Sequence, residues 1–175
     1  MTDMVRAINP TAAISNAEEA KAAARASAIA IFLGVVWGII GVAWLMGPGA
    51  AVMEAAMAEA AAGSPEAAGM TDMMAGAALG FAGVMVVIQL ILGLVQWFKP
   101  NIVIPILFTV FVVYGLGSTA LGMAMADQME LGAAAATPAW QTWGGIALMV
   151  VQLIMHIAGI RGASAMRKFR DAQAY

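Results

Sequence analysis

The chain has 175 residues, of which 63 % are hydrophobic and only 10 % charged, with eight basic and ten acidic side chains and a net charge of −2. Soluble globular chains carry about 25 % charged residues, so this set cannot cover an 18.0 kDa water-soluble domain, and a mean hydropathy of +0.89 points to an integral membrane protein. The lack of cysteine excludes disulfide and thiolate chemistry, and a single histidine excludes a self-contained zinc site.

Residues 1–27 form a polar N-terminal arm. Around Asn9-Pro10 the stretch 1–14 is expected to be extended, able to lie along a partner. Ser15-Asn16-Ala17-Glu18 has capping-box spacing and predicts a helix from about Asn16 that runs on into the first apolar run. That run, 28–46, ends at Gly47-Pro48, a glycine-then-proline helix stop. It exceeds the roughly 7–15 apolar residues of a signal-peptide core, so a retained span is expected.

The loop 47–76 is acidic, with Glu54, Glu59, Glu66 and Asp72. Its alanine-rich part, 50–62, predicts a short surface helix stopped by Gly63-Ser64-Pro65. Three more apolar runs follow, at 77–98, 102–126 and 143–160, each near the ~20 residues that cross a bilayer. Lys99-Pro100-Asn101 alone separates the second and third, which predicts an antiparallel hairpin with these two helices as neighbours. No Lys, Arg, Asp or Glu falls inside any of the four runs. The fold class expected is all-α, a four-transmembrane-helix bundle.

All eight basic residues fall on one side of this topology: Arg6, Lys21, Arg25, Lys99, Arg161, Arg167, Lys168 and Arg170. Asp127 and Glu130 add to the acid on the other side. The positive-inside rule therefore puts both termini in the cytoplasm, and the composition suggests a bacterial inner membrane. Trp44, Trp97, Trp140 and Trp143 sit at run ends, as interfacial anchors do. The basic tail 161–175 could touch anionic headgroups or simply report topology.

The halves resemble one another. Val35-Val36-Trp37-Gly38 in the first run parallels Val112-Val113-Tyr114-Gly115 in the third, and Gln89-Leu90-Ile91-Leu92 parallels Gln152-Leu153-Ile154-Met155. Two tandem helical hairpins are expected. The same alignment puts one hydrogen-bonding side chain near the middle of each run: Trp37, Gln89, Tyr114 and Gln152. Lipid offers such groups no partner, so all four are expected to face inward in one layer. That layer is either interhelical glue or a small polar pocket for a lipid or quinone-like headgroup. Small residues four apart, Gly34/Gly38, Gly76/Gly80, Ser118/Gly122 and Ala158/Gly162, are candidates for close helix packing.

His156 lies about one turn inside the cytoplasmic end of the last run. It can bond across a helix interface, ligate a tetrapyrrole metal, or relay protons. No other metal site, paired carboxylate, activated nucleophile or nucleotide motif is present, so neither catalysis nor nucleic-acid binding is expected. What remains is a non-catalytic accessory or scaffold subunit of a larger, energy-converting inner-membrane complex, in contact with lipid and with other membrane subunits rather than with copies of itself. The alternative is a homo-oligomeric channel or permease for a small neutral solute.

Overall fold

The computed structural model describes residues 4–61, 65–125 and 138–173. Among them are six helices and no strand: α1 Met4–Ile8, α2 Ala17–Met46, α3 Ala50–Ala61, α4 Pro65–Phe98, α5 Val103–Met125 and α6 Ala139–Gln173. Helices α2, α5 and α6 and the Leu79–Phe98 part of α4 are each long and apolar enough to cross a membrane. The chain is an all-α four-helix membrane bundle. Gly63-Ser64 and the loop with Asp127 and Glu130 lie outside the described residues, as do the side chains of Glu59, Glu66 and Asp72.

The arm is not extended. After α1 the Asn9 side chain accepts from the Thr11 backbone N–H at 2.9 Å and from its hydroxyl at 2.8 Å, which closes a turn. The chain folds back on its own bundle: Ile8 packs against Ala26, Ala30, Met155 and Ala158, and the Arg161 guanidinium donates to the Ala12 carbonyl at 3.1 Å. The arm covers apolar surface of α2 and α6 instead of reaching out. The cap of α2 also sits one residue later than the predicted box. Asn16 accepts from the Glu19 N–H at 2.9 Å, and the Glu19 carboxylate accepts from the Ser15 N–H at 2.7 Å. At the other end, the Gly47 and Gly49 N–H groups both return to the Trp44 carbonyl. A Cβ at Gly49 would lie 2.5 Å from the Trp44 ring, which explains the glycine.

With 35 residues, α6 is about 52 Å long at 1.5 Å per residue, well beyond a ~30 Å hydrocarbon core. Neither 27/28 nor 160/161 interrupts a helix. The most tightly packed part of the fold lies across these points, where Ala20, Ala23, Ala24 and Ser27 of α2 meet Ala158, Gly159, Gly162 and Ala163 of α6.

Helix α2 packs on α4, and α5 on α6, so each tandem pair is a hairpin; the two hairpins meet chiefly through α2 and α6. Helices α4 and α5 are joined by the four residues 99–102, yet make only marginal contact with each other. The expectation that a short loop forces them together is thereby corrected.

The repeat supplies the reason. Two related hairpins would offer two equivalent seams, α2 with α6 and α5 with α4. Where α2 has Ala30 and Gly34, the alignment puts Leu107 and Phe111 in α5. Where α6 has Gly159 and Gly162, it puts Gln96 of α4 and Lys99 of the loop that follows α4. The first seam has the small residues that let backbones approach. The second lacks them and stays open.

Candidate functional site

Two polar constellations lie inside the bundle. The first is in the half that carries the 99–102 loop and the N-terminal arm. Gly159 has no side chain to hold α6 away from α2: a Cβ there would lie 2.5 Å from the Ser27 Cβ. The close approach brings the Ser27 Oγ to 2.8 Å from the His156 Nδ1, with both residues at 0 % exposure. The Phe108 ring of α5 stacks on the imidazole at 5.6 Å between centroids and 25° between planes. Nε2 is buried without a hydrogen-bond partner among the described residues. Three helices are thus tied at one imidazole.

The tetrapyrrole considered for His156 does not fit this arrangement. One ring nitrogen is engaged by Ser27, one ring face is covered by Phe108, and the side chain is fully enclosed. A flat macrocycle has no approach to the remaining nitrogen. Among the described residues there is also no group of three His, Cys, Asp or Glu side chains that could hold a metal ion.

A companion corner closes the C-terminal end of α4. The fully buried Gln96 donates to the Ala24 carbonyl at 3.2 Å and the Asn101 carbonyl at 3.1 Å, and accepts from the Asn101 N–H at 3.2 Å. Beside it, Arg25 donates to the Trp97 carbonyl at 3.2 Å and lies 4.9 Å above the Trp97 ring.

The second constellation is the mid-membrane layer. Gln152 is buried and donates to the Ala30 carbonyl at 2.9 Å. Gln89 approaches it from α4, and bare Gly34 lies between them. A Cβ on Gly34 would come within 2.7 Å of the Gln152 amide nitrogen and 3.5 Å of the Gln89 carbonyl oxygen. Trp37 lies over Gly144 of α6 and meets Trp140 edge-on at 6.0 Å. The three side chains line a cavity of about 420 Å³ bounded by α2, α4, α5 and α6. Helix α4 contributes Ala82, Met85, Val86 and Gln89 to it, one face at i, i+3, i+4, i+7.

Tyr114 departs from the expected layer. It is 75 % exposed on the outer face of α5 and is absent from the cavity wall. On α5 the buried stripe is Ile104, Phe108 and Val112, spaced by four, and Tyr114 lies two residues past its end, on the far side of the helix. Comparison of the chain with protein families, with characterised proteins and with solved structures finds no match.

The packing glycines divide in the same way. Gly34 and Gly38 are at contacts, Gly38 against Val86 of α4, whereas nothing among the described residues lies within 4 Å of a Cβ built on Gly76, Gly80 or Gly122. Ser118 is exposed. Ser27, Gly159 and Gln96 escaped sequence reasoning. A signal was present for the last, because Gln89, Gly93 and Gln96 recur at i, i+4, i+7 and therefore share one face.

Proposed function

We propose that this protein is a non-catalytic accessory or scaffold subunit of a larger assembly in a bacterial inner membrane, with both termini cytoplasmic, and that it docks through the outward face of α5. The observation that carries the reading is the placement of Tyr114. Its exposed hydroxyl stands at the middle of an apolar helix, where lipid offers no hydrogen-bond partner and a neighbouring subunit would. Gly117, Ser118 and Leu121 share its face at i+3, i+4 and i+7, and all are exposed. A Cβ on Gly117 would meet nothing within 4 Å, so another helix can come close there. The energy-converting character of the assembly remains part of this proposal and rests on composition and exclusion.

The test is a native gel of mildly solubilised membranes with protein identification in the shifted band. Co-migration with a fixed set of other membrane chains, lost when Ser118→Leu is introduced, is the expected result. A ladder of this chain alone, or transport by the purified protein in liposomes, would overturn the reading in favour of a homo-oligomeric channel or permease.

A further inference from the structure

The open seam between α4 and α5 leaves a space that the chain itself does not fill. The cavity there measures about 420 Å³, within the ~300–1,000 Å³ range of small-molecule sites. Gln89 lies nine residues from the cytoplasmic end of its run at Phe98, and Gln152 eight residues from the end of its run at Ile160. At 1.5 Å per residue that is about 12–14 Å, close to the midplane of a ~30 Å core. The Gln152 amide is committed to the Ala30 carbonyl, while the Gln89 amide has no hydrogen bond to another described residue. In hydrocarbon an unmade amide hydrogen bond costs several kcal/mol.

We propose that this cavity binds the headgroup of an isoprenoid quinone, with the Gln89 amide donating to a ring carbonyl. The lining selects the chemistry. It contains no ionisable residue, so the head must be neutral. Its hydrogen-bonding groups, the two glutamine amides and the Trp37 indole, include two kinds of N–H donor, which suit carbonyl oxygens. Phe108, Phe111, Met85 and Met149 supply flat and adaptable apolar walls for a ring. The gap between α4 and α5 gives a long tail a lateral way into lipid. Depth separates the two lipid classes that carry carbonyls: glycerolipid esters belong to the interface, about 15 Å away, whereas a quinone ring can sit inside the core. This inference does not depend on the subunit reading.

The experiment is equilibrium binding of a short-chain ubiquinone to the full chain in phosphatidylcholine nanodiscs, with organic extraction and chromatographic counting of quinone per chain. Saturation near one quinone per chain is expected. Gln89→Leu should weaken binding about two- to tenfold, the worth of one neutral hydrogen bond. Ala82→Phe should abolish binding by filling the cavity from α4, and Val103→Leu, exposed in the first turn of α5 and away from the cavity wall, should leave it unchanged. Circular dichroism confirms that each variant is folded; should Gln89→Leu fail, Ala82→Phe alone decides. Absence of saturable quinone binding, equal binding by Ala82→Phe, or stoichiometric retention of glycerolipid in place of quinone would each overturn the proposal.

Discussion

The Ser27 hydroxyl and the His156 Nδ1 lie 2.8 Å apart in a contact enclosed entirely by protein. Its partners are 129 positions apart in sequence, one near the start of the first hairpin and the other near the end of the second. It can form only because Gly159 lets α6 rest against the α2 backbone, so packing and polar chemistry at this point are one arrangement. A buried polar atom stripped of its partner costs about 1–3 kcal/mol, whereas removal of both partners is nearly neutral. Ser27→Ala should therefore lower the thermal unfolding midpoint in detergent, and His156→Leu should do the same. The double variant should lose distinctly less than the sum. Strict additivity in this cycle would show that the two groups do not depend on each other.

The glycines offer a paired comparison. A Cβ on Gly162 would strike backbone atoms of Ala20, Ala23 and Ala24, which cannot rotate away. Gly162→Ala should cost about 1–3 kcal/mol through overpacking. Gly80→Ala meets nothing within 4 Å among the described residues, and alanine is the better helix former by about 1 kcal/mol. Its midpoint should hold steady or rise slightly. Equal losses at both positions would contradict the tight α2–α6 seam.

Much of this fold was legible because the bilayer constrains it so strongly. A run of ~20 apolar residues has few choices other than a spanning helix, and Gly47-Pro48 stops α2 where a glycine and a proline should. What the sequence hid was which face of each helix meets which neighbour. Every face here is apolar, so hydrophobicity does not separate core from lipid. Tyr114 and Trp37 align in the repeat, yet one faces out and the other lines the cavity, because Gly144 of α6 leaves room for a large ring over it and no such pocket was visible from α5 alone. The short 99–102 loop misled in the same way. It fixes the ends of α4 and α5, but the bulk of Leu107 and Phe111 decides whether their middles close. Ser27 looked like one small residue among many alanines, and only the partner helix shows what it does.

Topology can be checked directly. A single cysteine replacing exposed Glu54 on α3 should react with an impermeant maleimide added to intact cells or right-side-out vesicles. A cysteine replacing Lys99, exposed in the α4–α5 loop, should react only after the membrane is opened. The physical basis is that all eight Lys and Arg residues fall on the loop-99 side. The opposite pattern at either position would invert the assignment.

The outward face of α5 yields the most direct test of the proposed role. Tyr114→Phe removes only a hydroxyl that touches no described residue, and Ser118→Leu and Gly117→Leu add bulk where the chain itself has open space. None should destabilise the isolated protein by more than about 0.5 kcal/mol, the usual scale for surface changes. If this face docks another subunit, the leucine variants should nevertheless detach the protein from its complex on a native gel. Tyr114→Phe should weaken the association about two- to tenfold, as expected for one hydrogen bond. The control is Val103→Leu, an exposed position in the first turn of the same helix that keeps its apolar character. It should affect neither property. Retention of the complex by Gly117→Leu and Ser118→Leu together would remove α5 as the docking face. The Tyr114 hydroxyl would then have to find its partner in lipid or in water drawn into the core.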